Sequence, residues 1–515
     1  MKRYHFYSLL LFFLSLFPSF NRAYSSDLFV IQTGDVQGEL KPCGCQGNPL
    51  GGIPRLSKLI EITQSKNPKA LVLFLDSGNL LFRTKRLPEV FQKVWLKQAQ
   101  ELSSFYQAMN VAALLPGPLD LSASSDFLKG LSLPWVISNT TTQQTFFLKK
   151  KDFALGDTQV SIFGIASTET LKKTSLKKME IKKMLSEWKK SPKESFLILL
   201  SNQGLEEDKK ILSQMKPLLS KKEAARIALF GGGSISFLEK PDFSQQIPIF
   251  NGEEKNHHVW LTHFSHNQGQ WSLAKSELIA LDSRFDLEKS EQLPKTRALL
   301  SRFQKAEKEI DDLNLQISNT STTHSLEKEP LWSALNCKEC HEQQFLKWKA
   351  TPHASAYFSL LMKELWKNAQ CLSCHSTGLA PPDGDADPGR VFLKEDGSKD
   401  KDAQSKLLAW LKESFRPIKE LPRHSTKPFT PILDHLHFKT KKSKLNFYGG
   451  VQCLACHQEP SSHPFEDSSH PRKQGASMRS LCLNCHTKSQ HPDLYDKKGQ
   501  LLEVRFQKMW KKVSH

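Results

Sequence analysis

Between about Asp27 and Ala280, short apolar runs alternate with longer amphipathic ones. Leu71–Leu75, Val160–Ile165, Phe196–Leu200 and Ile227–Phe230 each end in a small or polar residue, the pattern of buried strands. Between two of them Leu176, Met179, Met184, Leu185 and Trp188 recur at helical spacing and predict an amphipathic helix. Strands alternating with helices predict an α/β domain over residues 27–283. The segment from Arg284 to about Ile317 is charged, has no Gly and a single Pro, and reads as a long linking helix. The polar stretch Ser318–Thr323 reads as a hinge, so residues 284–330 are expected to be a helical linker. After Leu331 strand-like runs nearly vanish, and residues 331–515 read as a mainly helical, loop-rich domain with little aliphatic material for a core.

The start of the chain adds a compartment. Lys2, Arg3 and His5 precede an apolar run from Phe6 to Phe17, followed by Pro18 and the small residues of Ala23-Tyr24-Ser25. That run is shorter than the ~17–25 residues that span a bilayer, but it suits a signal-peptide core. Residues 1–25 are therefore expected to be a signal peptide and the mature protein periplasmic, with no transmembrane span after cleavage. With 515 residues, 38% hydrophobic and 24% charged, the chain is too long for one ordinary domain and too apolar for disorder.

Charge changes the picture only until the chemistry is read. The formal charge of +19 would suit nucleic acid or an acidic surface, but residues 331–515 hold 29 Lys and Arg against 19 Asp and Glu. That excess of ten sits where Cys-x-x-Cys-His occurs four times: Cys337/Cys340/His341, Cys371/Cys374/His375, Cys453/Cys456/His457 and Cys482/Cys485/His486. Two thiols one helical turn apart add to the two vinyl groups of one porphyrin, and the next residue brings its imidazole to the iron. Zinc ribbons and disulfides use similar Cys pairs, but the Cys340-to-Cys371 gap and the His after every second Cys argue for haem. Four covalently bound haem c groups would carry roughly eight propionate charges, offsetting most of the basic excess. They would also supply the core that the segment lacks.

Each iron has a sixth position. Nine further His follow residue 323: His324, His353, His424, His435, His437, His463, His470, His491 and His515. Only Met362, Met478 and Met509 lie in this segment, so bis-His ligation of most haems is expected over Met ligation.

Residues 337–515 resemble the tetrahaem cytochromes linked to hydroxylamine oxidoreductase. The resemblance lies in Trp348-Lys-Ala-Thr-Pro-His353-Ala-Ser-Ala, in Cys371-Leu-Ser-Cys374-His375-Ser-Thr-Gly378, and in Gly450-Val-Gln-Cys453-Leu-Ala-Cys456-His457 with His463 following. It implies that His353 and His463 are distal ligands to haems other than their nearest in sequence, and that one iron of the family is open. His515 is similar to a terminal His of that family, whereas Gln458-Glu459-Pro460-Ser461 departs from its Gly-Pro-Gly.

The α/β domain resembles calcineurin-like metallophosphoesterases of the 5′-nucleotidase branch. The landmarks are Thr33-Gly34-Asp35-Val36-Gln37-Gly38, Gly51–Leu56, Asp76-Ser77-Gly78-Asn79, Met109-Asn110, Ile137-Ser138-Asn139 and Phe230–Ser234. By that resemblance Asp35 survives as a ligand, while Gln37, Asn79, Pro118-Leu119, Asn202, Gly233 and Ile235 stand where the family has His, Asp or Asn-His. Neutral amides and apolar side chains bind divalent ions weakly, so phosphatase activity is not expected. His257, His258, His263 and His266 lie on a strand-like pattern as solvent-facing or structural residues, and Cys43-Gly44-Cys45 suits a loop disulfide, a redox pair or a soft-metal clip.

The expected function is electron transfer between periplasmic redox proteins or a quinone-linked donor or acceptor, with no nucleic-acid partner and no catalytic residue assigned. Two alternatives stay open. One is a multihaem redox enzyme acting on a small nitrogen or sulfur compound at an open iron, and the other makes the N-terminal domain a docking module.

Overall fold

The computed structural model describes residues 27–42, 49–87, 91–142, 146–233, 238–252, 254–320, 333–377, 388–394, 398–415, 429–457, 476–488, 490–496 and 499–512. The signal-peptide segment, Cys43, Cys45, Ile235 and His463 lie outside them.

Two five-stranded sheets form the α/β part. One contains β1 (Asp27–Thr33), β2 (Leu71–Asp76), β3 (Ala113–Leu114), β9 (His258–Asn267) and β10 (Gln270–Ala280), in the order β10-β9-β1-β2-β3. The other is β4 (Lys151–Leu155), β5 (Thr158–Ile165), β6 (Phe196–Ser201), β7 (Ile227–Gly231) and β8 (Ile249–Asn251), in chain order. β1 runs parallel to β2 and antiparallel to β9, and β5 through β8 are parallel to one another.

Each predicted strand is present, and its continuous apolar run has a physical reason. Phe196, Ile198 and Leu200 of β6 face the core shared with β1 and β9, whereas Leu197 and Leu199 belong to a second cluster on the opposite face. Helices α3 (Ile181–Trp188) and α4 (Leu205–Met215) cover that second face through Met184, Leu185, Trp188, Leu212 and Met215. Strands buried on both sides have no polar face to alternate with. The helix expected from Leu176 to Trp188 begins only at Ile181. Leu176 and Met179 lie in the preceding loop, where the Met179 N–H donates to Asn139 O at 2.8 Å.

The outer face of the first sheet is covered by α1 (Ile53–Lys66), α2 (Gln92–Ala108) and α5 (Pro294–Thr320). The segment read as a helical linker takes a defined form. Residues 283–285 form a short 3-10 turn and the helix starts at Pro294, where a fixed φ and a missing N–H are tolerated. The helix then docks on the α/β domain instead of bridging away from it. Leu299, Phe303, Ala306 and Ile310 make a buried stripe at spacings of three and four, set among charged residues that hide it in the sequence. Glu61 accepts the N–H groups of Lys295 (3.1 Å) and Thr296 (2.7 Å), satisfying two of the orphan donors at the helix start. The helix also continues through Thr320, inside the stretch expected to be a hinge.

The C-terminal part is helical: α6 (Ala334–Lys338), α7 (Glu342–Lys349), α8 (Ala356–Met362), α9 (Ala369–His375), α10 (Lys401–Phe415), α11 (Thr430–Lys442), α12 (Ala476–Leu483) and α13 (Glu503–Trp510). A two-stranded pair, β11 (Phe392–Leu393) with β12 (Asn446–Phe447), links distant segments. Side chains do build a core here, contrary to the composition argument. Tyr357, Phe358, Leu411, Phe429, Leu436 and Phe447 pack around the second Cys-x-x-Cys-His, and aromatic rings supply what few aliphatics could not. No helix among the described residues is long and apolar enough to cross a membrane.

Truncating Phe303 to Ala tests whether α5 belongs to the α/β core. Its ring is buried and meets Phe105 at 6.0 Å. A loss of about 3–5 kcal/mol is expected in chemical denaturation, whereas a free linker helix would lose almost nothing.

Candidate functional site

All four Cys-x-x-Cys-His units adopt one helical turn. The His341, His457 and His486 N–H groups donate to the carbonyls of Cys337, Cys453 and Cys482 at 2.9, 2.8 and 2.9 Å, and the second unit closes α9. Among the described residues the eight motif cysteines form no disulfide. This is the arrangement in which two sulfurs and one imidazole meet a single porphyrin, so the residues fit covalent haem.

A short turn before the third unit ties the others together. The Gly450 N–H donates to His375 O at 2.9 Å, and the Val451 N–H donates to His353 O at 2.9 Å. Trp348 Nε1 donates to Val451 O at 2.7 Å, and Thr377 Oγ1 to Gly450 O at 2.9 Å. Gln452, almost fully buried, accepts the Ala334 N–H ahead of the first unit at 2.7 Å and donates to Phe447 and Gly449 carbonyls at 2.7 and 3.0 Å. Gly450 sits at φ 89°, and a Cβ there would meet the His353 and Ala354 carbonyls at 3.0 Å, so only Gly is unstrained. The three stretches that carry the cytochrome resemblance thus converge on one turn.

The imidazoles around this turn are neutral at physiological pH. Burial lowers His353 to about 4, with a further contribution from His486 and His375. Burial, then His491, lowers His486 to about 4, and burial also lowers His375. A neutral imidazole is the form that ligates metal. His375 Nδ1 lies 2.7 Å from Ala356 O, which places its N–H there and leaves Nε2 with the lone pair. The His353 and His486 ring centroids are 6.1 Å apart. An ion held between two imidazoles at the ~2 Å metal–nitrogen distance puts their centroids at about that separation.

Sulfur neighbours order the units. The Cys374 and Cys485 thiols are hydrogen-bond partners, as are Cys337 and Cys453, and Cys456 lies close to Cys482. His437 was not singled out by motif reading, yet its half-buried ring lies 5.7 Å from that of Phe345, and Lys338 of the first unit lies over the same ring. His491, at 4.4 Å from the His486 ring, was equally unmarked. Their one sequence signal was membership in the His-rich set.

Residues 336–395 match the family described as cytochrome c554 and c-prime. That match spans the first two units and marks this part as cytochrome c-type, with covalently attached haem c. No curated protein matches the chain. Among solved structures, a 5′-nucleotidase precursor from Thermus thermophilus is similar at 16% identity, over 55% of this chain and 59% of that one, with a TM-score of 0.41. The calcineurin-like phosphoesterase YfkN from Bacillus subtilis is similar at 14% identity over 55% and 98%, TM-score 0.39. A 5′-nucleotidase from Candida albicans is similar at 14% over 56% and 59%, TM-score 0.43. The chain spans about three-fifths of the length of the first of these nucleotidases. At such scores the α/β architecture rests on its own strand order.

The phosphoesterase landmarks do come together at the ends of β1, β2 and β7. Asp35, Gln37 and Asn79 all sit at positive φ (52°, 56° and 55°), and the two loops run side by side through Gln37 N–H to Asn79 O at 2.8 Å. The chemistry differs from a dinuclear centre. Asn79 Nδ2 donates to Asp35 Oδ1 at 2.7 Å, and the Gly233 N–H donates to Asp35 Oδ2. Asn79 Oδ1 accepts the Leu119 N–H at 3.0 Å, and Asp120, at the end of the same loop, accepts N–H groups of Asn79, Leu81 and Gly117 at 2.9, 2.7 and 2.7 Å. Amide donors occupy the carboxylate where cations would have to bind, and no cluster of three His, Cys, Asp or Glu able to hold a metal occurs among the described residues. The residues present do not fit a two-metal site. Of the four His expected to be solvent-facing or structural, His263 stacks on Phe29 at 4.3 Å and pairs with Asp27 at 2.8 Å, whereas His257 and His266 are buried.

Burial raises the Asp35 carboxyl to about 6. Its protonated form is therefore favoured in the fold. That contribution is complete below the ordinary carboxylate pKa of about 4 and is lost as pH rises through about 6. Asn79→Asp would place a second carboxyl against it. The expected result is a fall in Tm larger at pH 8 than at pH 5, while manganese leaves the unsubstituted protein's Tm unchanged.

Proposed function

We propose that this protein is a periplasmic, four-haem c-type cytochrome that passes electrons between redox partners, exported through its N-terminal signal segment. Its α/β domain is a phosphoesterase-like scaffold whose metal ligands have been replaced by amides. The observation that carries the reading is the quartet of one-turn Cys-x-x-Cys-His units, with the half-buried, neutral His353 set 6.1 Å from His486.

Cys337, Cys340, Cys371, Cys374, Cys453, Cys456, Cys482 and Cys485 would form the thioethers, and His341, His375, His457 and His486 the proximal ligands. His353 would be the distal ligand at the fourth unit, which is not its nearest in sequence. His463 keeps its role from the resemblance alone. Haem supplies one-electron chemistry at iron. The chain's own contribution is to hold the His353, His375 and His486 imidazoles unprotonated. The sulfur neighbours support a path running first, third, fourth, second. The collapsed Asp35 site supports a domain that does not hydrolyse phosphate esters.

Intact-mass measurement of the exported, matured protein should show four haem additions; zero additions would overturn the reading. His353→Ala should convert one haem in four to a high-spin, CO-binding form in optical and EPR spectra, leaving the other three unchanged. If the unsubstituted, reduced protein already binds CO at one iron, the redox-enzyme reading replaces the carrier.

A further inference from the structure

One corner of the α/β domain carries a concentration of lysine. Residues 146–190 hold eleven Lys, no Arg and five Asp or Glu. Backbone hydrogen bonds gather much of this charge in one place, with residues 135–142 as the seam. On one side of the seam the Ile137 N–H donates to Leu148 O at 2.9 Å, and Ser138 Oγ donates to Lys149 O. On the other side the Thr141 N–H donates to Lys177 O at 3.0 Å, and Lys178 forms a β-bridge with Thr140. Helix α3 begins three residues after Lys178. Its Met184, Leu185 and Trp188 are buried, which turns Lys182 and Lys183 to solvent.

The charge is not neutralised from within. Asp152, Glu169 and Glu187 are paired with Lys150, Lys85 and Lys190 at 2.7, 2.9 and 2.7 Å, which leaves Asp157 and Glu180 as the other acids of the stretch. Lys149, Lys177, Lys178, Lys182 and Lys183 are exposed and make no ion pair among the described residues. Leu148, 40% exposed, stands beside them.

The residue types select the partner. Protein interfaces are enriched in Arg and aromatic rings and depleted in Lys, and a fixed carboxylate is best met by the planar fork of Arg. Ammonium groups on flexible stems suit a diffuse sheet of negative headgroups, into which an exposed leucine can dip. The place of the corner agrees. Helix α3 covers the outer face of the second sheet, whereas the Cys-x-x-Cys-His part meets the opposite layer, where Ala369 and Ile310 of α5 line one cavity. A redox protein seated on the lysines would be separated from the attachment units by the thickness of the α/β domain.

We propose that this corner docks the protein on an anionic lipid surface, with the cytochrome part on the side away from the lipid. The proposal is independent of the haem count and of the carrier reading.

The test is co-sedimentation of the full, matured chain with vesicles of phosphatidylglycerol and phosphatidylcholine in equal parts, and with vesicles of phosphatidylcholine alone. Binding is expected to the anionic vesicles only, and should be lost at roughly 1 M salt, where the screening length is about 3 Å. A lysine at such a surface contributes about fivefold to binding. Lys177→Gln, Lys178→Gln, Lys182→Gln and Lys183→Gln together should therefore weaken it on the order of a hundredfold or more. The same number of changes at exposed lysines of the cytochrome part, Lys442→Gln, Lys444→Gln, Lys508→Gln and Lys511→Gln, should weaken it far less. Equal losses from the two sets would mean attraction by net charge alone and would overturn the assignment to this corner, as would no binding to the anionic vesicles. Binding to soluble polyglutamate without binding to the vesicles would assign the face to an acidic protein and overturn lipid docking.

Discussion

The C-terminal part depends on one turn of backbone, Gly450-Val451-Gln452. Its N–H and C=O groups hold His353, His375, Thr377 and Trp348, and the Gln452 side chain holds Ala334. A buried polar group is tolerated only when it is paired, and here each pairing also fixes the place of one attachment unit. Without that turn the units would be short helical turns on separate segments, each too small to hold its neighbour. Gly450 is required because two carbonyls approach the place a Cβ would occupy.

A similar logic, with the opposite outcome, governs the α/β domain. Two parallel-stranded β–α units bring Asp35, Asn79 and Gly233 to the same sheet ends, the place where a dinuclear site would hold its cations. Asn79 and a backbone N–H satisfy the Asp35 carboxylate, and Asp120 gathers three further N–H groups. The site is thereby rigid and self-satisfied. Positive φ at Asp35, Gln37 and Asn79 keeps a strained loop geometry whose surroundings still enforce it.

Much of this was legible from the residues. The four core strands announced themselves as apolar runs because both of their faces are buried. The Cys-x-x-Cys-His units were legible because their chemistry is local, contained within one helical turn. The loops that carry Gln37 and Asn79 could be read because flanking glycines and acids mark them. Less legible was α5. Its apolar stripe is only four residues among many charged ones, and a helix that docks cannot be told from one that links without seeing α1 and α2. The aromatic core around Tyr357 and Phe358 was also missed, since residues contributing to it come from segments up to ninety positions apart.

The sequence by itself determined the chemistry of attachment and the strand-and-helix alternation, because both are set by neighbours within a few residues. Only the tertiary structure decided which imidazole lies by which unit, and that His437 and His491 approach them. The longest of those pairings join residues more than a hundred positions apart, and nothing in local spacing encodes them. Burial, which keeps the imidazoles neutral, exists only once distant segments have packed together.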